Sequence, residues 1–151
     1  MDAIPSHVAF INLGENNLDE IETKGLTSVL QKIPKHIITL DLGGNNLCML
    51  DKGLPQVFQS IPSSIEELNL SNNGFDQYKI SKRERLLSDL PSSIKFVTLN
   101  NERLNIQKLI SENRYGSTIL SAELLKCQNV FFKFKDSSND HEPPRKKPRY
   151  K

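Results

Sequence analysis

Cysteine is scarce in this chain. Cys48 and Cys127 are the only two in 151 residues, too few for the disulfide framework of a small secreted domain. Cys48 follows an apolar residue of a repeat frame and Cys127 follows an apolar run, so both are expected as small buried hydrophobes in a reducing, intracellular compartment. Long apolar runs are missing too. No stretch approaches the roughly 18 apolar residues that cross a bilayer, and the opening Met-Asp-Ala-Ile-Pro lacks the charged and apolar regions of a signal peptide. A soluble protein without a membrane span is predicted. The sequence also lacks a Gly-rich phosphate loop, Gly-x-Ser-x-Gly, His-Glu-x-x-His and Cys-x-x-Cys, so no catalytic residue and no cofactor is expected. No zinc-finger, RNA-recognition or basic-zipper pattern is present, which argues against sequence-specific nucleic-acid binding.

What fills the chain instead is a repeat. Ile65, Leu68, Leu70, Asn73 and Phe75 carry the spacing apolar-x-x-apolar-x-apolar-x-x-Asn-x-apolar. The same frame holds at Val8, Ile11, Leu13, Asn16 and Leu18, and at Ile37, Leu40, Leu42, Asn45 and Leu47. A fourth copy, Ile94, Val97, Leu99 and Leu104, has Glu102 in place of the Asn. The copies start at Ile4, Ile33, Ile61 and Leu90, spaced 29, 28 and 29 residues apart, and each start is followed by proline: Pro5, Pro34, Pro62 and Pro91. Proline bars further helix and directs the chain into an extended segment. Between the strands, Leu26, Val29, Leu30 and Ile33, and again Leu54, Val57, Phe58 and Ile61, recur at helical spacing. Gly25 and Gly53 are read as turns just before these helices. In the third return leg, Lys82, Arg83, Glu84 and Arg85 read as a solvated helix face, with a docking patch as the alternative. The Asn column is expected to bond backbone groups of neighbouring turns, a structural role. His7 and His36 share one repeat position, but Ser64 and Ser93 follow them there and no third ligand is evident, so no metal site is expected.

This frame resembles the leucine-rich repeat signature L-x-x-L-x-L-x-x-N-x-L. The resemblance implies an α/β fold: a right-handed solenoid forming a short horseshoe arc, with parallel strands on the concave face and helices on the convex face. Residues 4–104 are assigned to four repeats, 105–135 to a C-terminal cap over the last repeat, and 136–151 to a disordered basic tail. The first strand has no comparable cap and is an exposed edge, a liability or alternatively a dimer contact. The recurrent Ile-Pro-Ser-Ser-Ile style of opening, with small size and a basic tail, is similar to leucine-rich repeat effectors of intracellular bacteria of the Legionella type. On that resemblance the chain is a secreted effector acting in host cytoplasm or nucleus.

Two surfaces are candidates for function. Outward strand positions form columns: Asn12, Asp41, Asn69 and Thr98 in the centre, Phe10, Thr39, Glu67 and Phe96 beside them, and Ala9, Ile38, Glu66 and Lys95 one place upstream. Exposed aromatics in a polar surround are what protein interfaces use, so Phe10, Asp41, Glu66, Glu67, Asn69 and Phe96 are the expected contacts for a peptide, loop or helix of a protein partner. The second surface is the tail. Arg145, Lys146, Lys147, Arg149 and Lys151 are five of 20 basic residues, leaving 15 against 18 acidic ones, a body at −3. Lys146-Lys147-Pro148-Arg149 resembles a monopartite nuclear import signal, and the cluster can alternatively contact phosphates. The corresponding alternative is a nuclear or nucleic-acid-associated protein, recognised by an import receptor, with the repeats as scaffold.

Overall fold

A computed structural model of the chain describes residues 4–113. Four strands, β1 (Phe10–Asn12), β2 (Thr39–Asp41), β3 (Glu67–Asn69) and β4 (Phe96–Leu99), lie in sequence order and pair in parallel. Phe10 pairs with Thr39, Thr39 with Glu67, and Glu67 with Phe96, so the register advances by one whole repeat from strand to strand. Helices α1 (Thr23–Leu30), α2 (Leu54–Gln59) and α3 (Ile80–Ser88) return the chain between them. Short 3-10 turns, Leu18–Glu20, Leu47–Gly53 and Phe75–Gln77, lead from each strand toward its helix.

Each strand begins the same way. The carbonyls of Pro5, Pro34, Pro62 and Pro91 accept the amides of Val8, Ile37, Ile65 and Ile94 at 3.0–3.1 Å. Proline cannot extend the preceding helix, and its fixed φ suits the tight turn that follows. Inside, equivalent positions stack in columns: Ile37, Ile65 and Ile94; Leu40, Leu68 and Val97; Leu42, Leu70 and Leu99 are all buried. Leu30, Phe58 and Leu87 line the helix side of the same core. One continuous apolar core therefore runs along the stack, and each repeat completes the burial of its neighbour.

The Asn column is bonded as its chemistry requires. Asn73 Oδ1 accepts the amides of Asn45 (3.0 Å) and Leu47 (3.1 Å), while its Nδ2 donates to Leu42 O (2.9 Å) and Leu70 O (3.1 Å). Asn45 repeats this one turn earlier, accepting from Asn16 (2.8 Å) and Leu18 (3.3 Å) and donating to Leu13 O and Leu42 O, both at 2.9 Å. Each carboxamide satisfies backbone groups of two successive turns where no strand ladder reaches.

Two local expectations need correction. Gly25 lies inside α1 rather than before it, and Gly53 precedes α2 with φ −80, an ordinary helical angle. Arg83 is not part of a solvated face. It occupies the position of Leu26 and Leu54 in the earlier repeats and is only 3% exposed, its Nε donating to Tyr78 O (3.0 Å) and its Nη2 to Asp76 O (3.1 Å). A guanidinium has five donors and can occupy a core position if backbone carbonyls receive them. Lys82 and Arg85 do remain exposed.

The last turn leaves the repeat frame. Asn100 (φ 48) and Asn101 (φ 66) are both left-handed and turn the chain back, so that β5 (Glu102–Asn105) pairs antiparallel with β4, Leu99 opposite Glu102. Two consecutive left-handed residues make the type I′ hairpin turn, which asparagine tolerates well. Without a carboxamide at position 102 the ladder stops, and the sheet gains a fifth strand. The helix α4 (Ile106–Asn113) follows, with Ile106 and Leu109 buried. The rest of the expected cap, 114–135 with Cys127, and the tail 136–151 lie outside the described residues.

Candidate protein-interaction surface

The register brings the expected contacts onto one face. Phe10, Thr39, Glu67 and Phe96 form one row across the strands, and Asn12, Asp41, Asn69 and Thr98 form the next. Glu66 sits one residue upstream of Glu67. With β5 the face is five strands wide, about 19 Å at about 4.8 Å per strand.

The central row is partly committed to its own turns. Asn12 Oδ1 accepts the amide of Gly14 (2.7 Å), Asp41 Oδ1 that of Gly43 (2.7 Å), and Asn69 Oδ1 that of Ser71 (3.0 Å). These are side-chain-to-backbone bonds two residues ahead, which set the sharp exit from each strand. Asn69 Nδ2 also donates to Asp41 Oδ1 at 3.0 Å, joining the two repeats. A side chain added at Gly43 would meet Asn69 Nδ2 and Asp41 Oδ1 at 3.1 Å, so glycine leaves room for this pair.

The two halves of the face differ. In repeats three and four the charges are paired within the protein: Glu66 with Lys95 at 2.8 Å and Glu67 with Arg103 at 2.7 Å. Arg103, on β5, also lies over the Phe96 ring at 3.6 Å from its centroid. Phe96 is therefore covered on one side by a cation, a favourable contact for an aromatic face. In repeats one and two, Phe10 is 49% exposed and Ile38 45% exposed, with Thr39 and Asp41 beside them. Arg103 was not among the expected site residues. The signal that locates it is the Asn100-Asn101 pair between Leu99 and Leu104, a hairpin turn that brings position 103 back across the face.

The convex side carries a cleft of about 580 Å³, whose lining includes Leu54, Phe58, Tyr78, Lys82, Arg85 and Asp89. At its rim Lys82 Nζ bonds Asp51 Oδ1 at 3.0 Å and lies 3.8 Å from the centroid of the Tyr78 ring. The hydrogen bond to Asp51 raises the Lys82 pKa above its ordinary value. Burial raises that of the Tyr78 phenol, and burial followed by the nearby Asp76 and Asp19 carboxylates raises that of the Cys48 thiol. Cys48 is thus a poor nucleophile at neutral pH. Among the described residues no three His, Cys, Asp or Glu side chains are grouped to hold a metal ion. No helix among them is long and apolar enough to cross a membrane. The tail residues Arg145, Lys146, Lys147 and Arg149 lie outside the described region.

No protein-family model matches the sequence, and no curated protein matches it either. Among solved structures, the leucine-rich repeat-containing protein LegL7 from Legionella pneumophila is similar at 31% sequence identity and a TM-score of 0.60. The match covers 63% of this chain and 30% of LegL7, so the chain spans under a third of that protein's length. Repeated strand, turn and helix, the buried Asn ladder and this likeness agree: the chain has the leucine-rich repeat α/β solenoid fold and resembles a leucine-rich repeat protein of Legionella.

Proposed function

We propose that the chain is a non-enzymatic interaction module that holds a protein partner on its concave face. The observation that carries this is the exposed pair Phe10 and Ile38, set among Thr39 and Asp41 on a rigid parallel sheet. Large apolar side chains held outward by a fixed backbone lose little freedom on binding and suit the centre of an interface. A partner segment with one or two apolar side chains, flanked by hydrogen-bond donors for Asp41 Oδ2 and the Thr39 hydroxyl, matches this half. Asn69 extends the polar row. Glu66, Glu67 and Phe96 contribute after their contacts with Lys95 and Arg103 open, so they add less. The narrow face fits a peptide, a loop or one helix. The likeness to a Legionella repeat protein supports a bacterial effector that meets a host protein in cytoplasm or nucleus.

The test is a capture from eukaryotic lysate using wild type and the Phe10→Asp/Ile38→Asp variant, followed by measured affinity for the captured protein. Loss of at least about tenfold in affinity, about 1.4 kcal/mol, is expected. An unchanged affinity contradicts the placement. The Arg145–Lys151 cluster supports a second reading, in which the tail engages an import receptor or phosphates and the repeats are scaffold. A chain ending at Glu142 then loses nuclear accumulation, whereas concave-face capture persists under the first reading.

A further inference from the structure

The closed half of the concave face ends in a guanidinium that the fold holds in place without exhausting its donors. Burial alternates along β5: Leu104 is buried, while Arg103 and Asn105 on either side of it are exposed. Arg103 stands opposite Thr98, so it shares the outward face of β4, and it reaches diagonally back over Phe96. Its Cζ lies 3.6 Å from the ring centroid, and Nη2 donates to Glu67 Oε1 at 2.7 Å. A guanidinium presents five N–H donors in a planar fork. Among the described residues Arg103 bonds no acceptor besides Glu67, and its side chain is 52% exposed.

An arginine that must be ordered by its partner loses rotamer freedom on binding. Here folding has already ordered it: the Phe96 ring sets the plane of the fork, and the Glu67 bond sets its rotation within that plane. Lys95, bonded to Glu66 at 2.8 Å, has no such plane and remains a flexible point charge. A planar fork with free N–H groups matches a carboxylate, which can accept two parallel bonds. A phosphoryl dianion fits less well, because Glu66 and Glu67 lie beside the fork and phosphate readers use clustered arginines. Asp41, in the same row on β2, makes no ion pair among the described residues. A partner segment laid the other way round would set its acid against that like charge.

We propose that Arg103 reads an Asp or Glu side chain of the protein partner whose apolar side chains rest on Phe10 and Ile38. This rests on the concave-face placement and names the partner's chemistry there. Glu67 and Phe96 act through Arg103 as positioning residues, without their contacts having to open. The fork lies over β3 and β4, two to three strand spacings from Phe10, or about 10–14 Å. In a helix laid across the strands, about two turns therefore separate the apolar residue from the acid.

Selection of a random peptide library displayed on phage tests this, using the full chain as wild type, Arg103→Gln and Phe10→Asp/Ile38→Asp. A cooperative melting curve checks that each variant is folded. Peptides selected on the wild type are expected to carry an Asp or Glu at fixed spacing from a large apolar residue. Changing that acid to its amide should weaken binding to the wild type at least about tenfold and leave binding to Arg103→Gln unchanged. Arg103→Lys, which keeps the charge without the fork, should recover only part of the affinity. Peptides with no enriched acid overturn the proposal, as does an acid whose loss costs the same on Arg103→Gln. Both results leave the concave-face placement standing if Phe10→Asp/Ile38→Asp has lost those peptides. If the double variant still binds them, or the wild type selects none, the placement fails and the proposal with it. Peptides recovered only after residues 114–151 are removed overturn it in favour of the chain's own acids as the occupant.

Discussion

Repeats one and two and repeats three and four are built on one frame but end in opposite conditions. The later pair is closed upon itself: Glu66 meets Lys95, Glu67 meets Arg103, Arg103 covers Phe96, and β5 takes the edge of β4. The earlier pair is open: Phe10 and Ile38 are exposed, β1 has a bare edge among the described residues, and there Asn16 Nδ2 bonds only Gly14 O of its own turn. A repeat frame fixes where a side chain points. Whether that side chain is available depends on what the neighbouring unit supplies.

The sharpest way to break the comparison is through the ladder. Asn73→Ala removes acceptors for two buried amides and donors for at least two carbonyls, so a loss of about 3–5 kcal/mol is expected in urea unfolding. Asn16→Ala, the same substitution at the open end, removes one exposed bond and is expected to cost no more than about 0.5 kcal/mol. Equal losses would show that position in the stack is irrelevant. Next comes Arg83→Ala, expected at about 2–3 kcal/mol because Tyr78 O and Asp76 O lose their donors inside the core. Arg83→Leu restores the residue type of Leu26 and Leu54 and fills the space, yet leaves those carbonyls unpartnered. It is expected to recover only part of the loss in the same unfolding assay.

A smaller effect sharpens the closed half. Arg103→Ala removes a half-exposed ion pair and a cation–aromatic contact, for about 0.5–1 kcal/mol of stability. Smallest is the pH dependence of the Lys82–Asp51 contact. The pKa of Lys82 is raised in the folded chain, so its contribution is fully present below the ordinary value of 10.5 and fades as pH rises through the folded value. The stability difference between wild type and Lys82→Met should shrink across that alkaline range and stay flat below it. A difference that grew instead would mean that the ion pair has the wrong sign in this account.

Much of this architecture is legible in residue spacing. The start residues with their prolines, the apolar columns and the strand register follow from one repeated frame, because a solenoid asks each unit to bury the same positions. The concave rows follow from the same frame. Three features were less legible. Arg83 reads as one member of a charged run, and only its alignment with Leu26 and Leu54 reveals a core position. Asn100 and Asn101 read as decoration around a missing ladder residue, although an adjacent pair of that type is itself a hairpin turn. The pairing of Glu67 with Arg103 spans 36 residues and depends on that hairpin, so the candidate contacts looked equally available when they are not.

The measurement that reaches the central claim most directly is affinity for a captured host protein, compared among wild type, Phe10→Asp/Ile38→Asp and the chain ending at Glu142. The account predicts that the double variant loses at least about tenfold while the shortened chain binds as the wild type does. If the double variant binds fully, and binding instead disappears with the tail and with added salt, the concave face is scaffold and the interaction belongs to the basic segment.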